Sequence, residues 1–136
     1  MSHDGKYAIT PNNGDETISI IDLQANKVAA TLEAGPDMTG VNFAAGKAFV
    51  ISSTSGFVYQ YDMKTLRPAG RIKIGTNIQL ETATTDTKEE KLYLAESTTN
   101  SVVIIDAKSG TFEKVANVGL FPWGTHIMDS KDNYCH

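Results

Sequence analysis

The chain has 136 residues and a mass of 14.7 kDa, a length that suits one domain around a single core. A net charge of −4 and a sequence pI near 5.3 leave no basic stripe to neutralise phosphates, which argues against nucleic-acid binding. Hydrophobic residues at 40% argue against a disordered chain, and apolar runs of only a few residues exclude a membrane-spanning helix.

Thr, Ile and Val make up a quarter of the chain. These side chains branch at the β-carbon and favour strands. The start of the chain, through Ser2, His3, Asp4, Gly5 and Lys6, is polar and reads as a turn rather than a secretory leader. The chain is therefore expected to be cytosolic or a piece of a longer protein. Ile20-Ile21-Asp22 then introduces a pattern that returns at Gln60-Tyr61-Asp62 and Ile104-Ile105-Asp106. Each Asp is followed 13 residues later by a glycine: Gly35, Gly75 and Gly119. Both markers are spaced by 40 and then 44 residues, so the chain is read as repeat units 1–35, 36–75 and 76–119, with 120–136 opening a further one.

The middle unit gives the clearest elements. Strands are predicted over 39–44, 48–52, 57–62 and 69–74, with turns between them. Turn chemistry every eight to twelve residues without a helical period indicates all-β structure, and four strands in 40–45 residues is the size of a propeller blade. The repeated Asp ends the third strand of each unit. There its carboxylate is expected to accept backbone N–H bonds from residues just beyond it and shape the hairpin. The repeated Gly leaves the outer strand and is expected to need a positive φ or a close backbone approach. Further on, the polar run 82–87 reads as a widened loop and 88–91 as a solvated turn of mixed charge. Tyr59, Tyr61 and Tyr93 follow strand spacing and read as sheet-face residues, and Trp123 as a plug against the next blade.

The fragments Asp4-Gly5-Lys6-Tyr7-Ala8, Thr17-Ile18-Ser19-Ile20-Ile21-Asp22 and Pro122-Trp123-Gly124 resemble the YVTN-type β-propeller repeat. The closest copy is Leu92-Tyr93-Leu94-Ala95 followed by Asn100-Ser101-Val102-Val103-Ile104-Ile105-Asp106. Departures are visible: the Pro-x-Gly corner survives only at Pro122-Trp123-Gly124, and Asp-Gly-Lys only at Asp4 to Lys6. The chain is also similar to surface-layer and periplasmic propellers, amine dehydrogenases and the haem d1 propeller of nitrite reductases. The resemblance implies a periplasmic or extracellular scaffold or binding module. It implies, as the alternative, part of an oxidoreductase that holds haem or copper.

The register of the repeat predicts three strands, then two full units, then an inner strand over 125–128. About three blades result, too few to close a ring of four to eight. The missing partner is either the remaining blades of a larger propeller or a second copy of the chain. In the second case two chains close head to tail into six blades, each inner strand completing its partner's first blade.

The candidate chemistry lies at the end of the chain. His126, Met128, Cys135 and His136 combine imidazole, thioether and thiol, a set that suits copper. His126 near a propeller axis also suits an axial haem ligand. The plainer reading makes Met128 core packing, Cys135 a small buried hydrophobe and His126 a hydrogen-bonding residue where other units carry Asn42 and Thr82. A c-type haem motif ending at Cys135-His136 is excluded, because the first cysteine position holds Asp132. The lone cysteine allows no internal disulfide. Asp15 and Glu16 with Asp4 match no Ca²⁺ loop, and no nucleophile motif, phosphate loop or zinc spacing occurs.

Overall fold

A computed structural model describes residues 1–132. Eleven strands and no helix are present among them: β1 (Tyr7–Asn12), β2 (Thr17–Asp22), β3 (Lys27–Glu33), β4 (Met38–Ala44), β5 (Lys47–Ser52), β6 (Phe57–Asp62), β7 (Arg67–Lys73), β8 (Leu80–Thr85), β9 (Lys91–Glu96), β10 (Ser101–Asp106) and β11 (Phe112–Ala116). They form three antiparallel meanders, ordered β1-β2-β3, β4-β5-β6-β7 and β8-β9-β10-β11. The all-β architecture of about three blades is therefore as expected.

The repeated Asp explains why each third strand turns where it does. Asp22 Oδ1 accepts Gln24 N and Ala25 N, both at 2.9 Å. Asp62 Oδ1 accepts Lys64 N at 2.7 Å and Thr65 N at 2.9 Å. Asp106 Oδ1 accepts Lys108 N at 3.1 Å and Ser109 N at 2.8 Å. Four residues after each Asp the backbone enters the left-handed region, at Asn26, Leu66 and Gly110. The carboxylate replaces the strand's lost ladder partners, so even leucine is held at a φ of 55°.

The repeated glycines have different causes. A Cβ on Gly35 would stand 2.7 Å from the Tyr59 ring and 2.8 Å from Ser52 Oγ, so that corner requires close approach. Gly119 has open space around it but a φ of +129°, so there the requirement is conformational.

Two apolar layers hold the sheets together. Ile18 and Ile20 of the first sheet pack with Phe43, Ala48, Val50 and Tyr61 of the second. Phe49, Ile51, Val58 and Ile72 of the second pack with Leu92, Leu94, Val103 and Ile105 of the third. Alternate residues of β5 thus serve both layers, and each such side chain contributes about 1.5–3 kcal/mol on burial. Tyr61 is 1% exposed and its hydroxyl donates to Glu33 O, tying the second sheet to the first.

Two expectations are corrected. Residues 82–87 do not widen a loop: Leu80–Thr85 is β8, and all six residues are buried. Threonine succeeds there because its hydroxyl finds carbonyl partners while its methyl packs. Residues 125–128 form no strand. They lie beside β8 through side-chain bonds and have no sheet of their own among the described residues.

Candidate functional site

The densest polar junction forms where the first turn, the β8–β9 turn and residues 130–132 meet. Asp4 Oδ1 accepts Ser2 Oγ at 2.7 Å and Lys6 N at 3.0 Å, closing a tight turn through Gly5. That turn directs His3 inward, leaving its side chain 12% exposed. Nε2 meets Asp132 Oδ1 at 2.7 Å. Nδ1 stands 2.6 Å from Glu89 Oε1, close enough for an ion pair but out of line for a hydrogen bond. Asp132 Oδ2 also accepts Phe43 N at 2.7 Å and Thr85 Oγ1 at 3.0 Å. Lys131 Nζ lies 3.2 Å from Glu89 Oε1. Burial alone would raise the Glu89 carboxyl, but Lys131 and His3 outweigh it and hold the group below the usual carboxylate range.

A cleft of about 260 Å³ opens beside this junction, bordered by His3, Tyr7, Phe43, Lys47, Met63 and Glu89. It is smaller than the roughly 300–1,000 Å³ of most small-molecule sites. Both His3 nitrogens already face carboxylates, so neither is open to exchange a proton with a bound substrate. The junction acts as a strut that ties residues 130–132 to the first turn. Sequence reading missed it, since His3 and Asp132 are 129 positions apart and share no motif.

The inner strands form a second polar system. Thr39 Oγ1 donates to Glu81 O at 3.0 Å, and Asn42 Nδ2 to Ala83 O at 3.1 Å. Thr82 Oγ1 donates to Trp123 O at 3.2 Å, and Thr84 Oγ1 donates to Thr125 O. Thr125 Oγ1 donates back to Tyr93 O at 2.6 Å, and Ser130 Oγ to Thr85 O at 2.6 Å. Each inner element is thereby fastened to the next through backbone carbonyls.

A buried carboxylate closes the β9–β10 turn. Glu96 has no exposed surface and accepts Thr98 N at 2.8 Å, Thr99 N at 3.1 Å, Ser101 Oγ at 3.2 Å and the Thr99 hydroxyl. Burial pushes its pKa up, but these bonds together hold it below the usual range. This is turn chemistry, with the carboxylate in the place that Asn12 and Ser52 occupy at the ends of β1 and β5.

The sequence-derived site residues are only partly placed. His126 lies on the exposed side of residues 122–132. Met128 is 81% exposed, which corrects the core-packing reading. Trp123 is 57% exposed and does not plug a packed corner. Cys135 and His136 lie outside the described residues. Among the described residues no three His, Cys, Asp or Glu side chains are grouped to hold a metal ion. Asp4 does not join Asp15 and Glu16, being engaged by Ser2 and Lys6.

No protein-family model matches the chain, and no curated protein sequence matches it. Solved structures do. Kuenenia stuttgartiensis hydrazine synthase superposes with a TM-score of 0.77 at 17% identity, over 91% of this chain and 36% of that one. Dihydro-heme d1 dehydrogenase NirN, in complex with DHE, gives 0.71 at 16% identity, over 85% of this chain and 25% of that one. The periplasmic gluconolactonase PpgL of Pseudomonas aeruginosa gives 0.69 at 18% identity, over 89% of this chain and 40% of that one. These likenesses establish a β-propeller fold. The chain spans between a quarter and two fifths of those proteins' length.

Proposed function

We propose that the chain supplies about three blades of an extracytoplasmic β-propeller of the YVTN type, which serves as a scaffold or binding module once further blades complete it. One observation carries this reading. Leu120 (84% exposed), Phe121 (77%), Trp123 (57%) and Met128 (81%) cluster within nine residues after β11. Large apolar side chains are seldom displayed together unless another surface covers them. Three residues past the repeated glycine, Met38 and Ile78 are buried whereas Pro122 is half-buried, and the exposed positions of Asp37, Thr39, Asn77 and Gln79 in earlier units carry polar residues where the third unit has Phe121 and Trp123. Three blades fall short of the four to eight that close a ring, and a closed ring is what gives a propeller a rigid rim for recognition.

Trp123 is the single tryptophan, so its fluorescence reports on this cluster. The reading predicts red-shifted, solvent-like emission from an isolated 14.7 kDa chain and a blue shift when blades are added. Blue-shifted emission from a monomer would overturn it.

The oxidoreductase alternative places haem or copper at His126 and Met128, with Cys135 and His136. Reconstitution with haem or with Cu²⁺ would then give a visible absorption band that is lost in a double variant, His126→Ala with Met128→Ala. Equal uptake by the double variant refutes that assignment.

A further inference from the structure

A neutral imidazole has one N–H and one bare nitrogen, whereas its cation has two N–H groups. His3 meets a carboxylate oxygen at each nitrogen: Asp132 Oδ1 lies 2.7 Å from Nε2, and Glu89 Oε1 lies 2.6 Å from Nδ1. Either neutral tautomer would press a lone pair against one of those oxygens. The cation alone suits both. Phe43 stands edge-on to the ring, with 6.0 Å between centroids, and fixes where the two nitrogens point.

The other charged groups around the ring are engaged elsewhere or complete the balance. In the first turn, Asp4 Oδ1 is taken up by Ser2 Oγ and Lys6 N, while Tyr7 borders the cleft. From β5, Lys47 Nζ donates to Gln60 Oε1 and to the carbonyls of Ala107 and Lys108. From the end segment, Lys131 Nζ sits 3.2 Å from Glu89 Oε1, the same oxygen that faces His3 Nδ1. His3 and Lys131 as cations thus balance Glu89 and Asp132. A neutral ring leaves one negative charge in excess.

The two carboxylates differ in what else holds them. The Asp132 side chain is 8% exposed, and its Oδ2 also accepts Phe43 N and Thr85 Oγ1. The Glu89 side chain is 35% exposed, and its carboxylate has only His3 and Lys131 as partners among the described residues. A ring that keeps one proton therefore keeps it on Nε2, for the buried carboxylate that cannot reach water. Its bare Nδ1 then faces Glu89, which can turn to solvent. The side chain moves alone, since Ala45 N still donates to Glu89 O at 3.1 Å.

We propose that His3 is a proton-operated latch on the cleft beside it. Charged, the ring holds Asp132 and Glu89 together and joins the β8–β9 turn to the first turn. Neutral, it keeps Asp132 and releases Glu89, which forms part of the wall of the 260 Å³ cleft. The cleft opens as the pH rises. A bond that requires the charged ring stabilises the fold at low pH and is lost as the proton leaves.

The test is urea unfolding of the full chain, His3→Gln, Glu89→Gln and the double variant at about pH 5.5 and about pH 8.5, on either side of the range in which histidine changes charge. Glutamine keeps an N–H for Asp132 and takes up no proton. His126 and His136 are common to all four proteins, so their titration cancels in the comparison. At the lower pH each single variant should reduce the folding equilibrium constant about fivefold, and the double variant no more than the worse single one. At the higher pH these differences should vanish. Ring-nitrogen NMR, assigned by the signals lost in His3→Gln, should show two N–H groups at the lower pH and Nε2–H alone at the higher. Costs that are equal at both pH values, or additive at the lower one, overturn the latch and leave the junction a fixed strut. A ring in one protonation state at both pH values also overturns it. A neutral ring protonated at Nδ1 would overturn the release of Glu89, since Asp132 would then lose its bond.

Discussion

Glu96 shows how much one side chain can decide at the end of a strand. A carboxylate without exposed surface survives because backbone and hydroxyl donors surround it. Its folded-state pKa lies below its unfolded value of about 4.3. The stabilisation is therefore in full force above that value and disappears as the pH falls through the depressed folded one. Glu96→Gln should cost about 2 kcal/mol at pH 7, the scale of hydrogen bonds to a charged group. The gap between variant and wild type in urea unfolding should then narrow by pH 3. An equal gap at both pH values would sink this account. The glycines give a paired test. Gly35→Ala drives a methyl into the Tyr59 ring and should destabilise by about 2 kcal/mol. Gly119→Ala meets no atom and carries only the backbone penalty of about 1 kcal/mol. A reversed order in their unfolding midpoints would contradict the causes assigned to each.

Among the elements, β8 carries the most consequence. Its threonines hold residues 122–132 through two carbonyls, and Thr84 has no exposed surface. Thr84→Val keeps the shape and removes the donor, so Thr125 O loses its partner. The expected cost is about 1–2 kcal/mol, with faster amide exchange confined to residues 122–132. Exchange unchanged there would mean that the bonds from Thr82, Thr125, Ser130 and the His3 junction hold the segment without Thr84. The same strand marks the limit of what the sequence conveyed. Strand patterning and the repeated Asp were enough to locate β5, β6, β9 and β10, because each carries buried apolar residues and β6 and β10 end at the repeated carboxylate. Residues 82–85 look like loop, since Thr82 and Thr84 are answered by carbonyls 41 residues away and Thr85 by the Asp132 carboxylate, and no local pattern encodes that. At the end of the chain, the inner strand expected over 125–128 and the core place expected for Met128 fail for a related reason, since both depend on what lies beside the segment in space.

For the whole molecule, the three sheets are unequal in what covers them. The second is sandwiched by apolar layers on both faces, and Phe49, Val50, Ile51 and Val58 have no exposed surface. The first has one covered face, one half-exposed face and, among the described residues, no strand beyond β1. In stacked repeats each unit draws stability from its neighbours, so the unit with the fewest contacts opens first. In the single chain, amide protection should therefore be lowest in β1–β3 and in β11, and highest in β5, β6, β9 and β10. Uniform protection in the monomer would mean that the sheets unfold as one cooperative unit. The exposed strip after β11 would then have no bearing on stability.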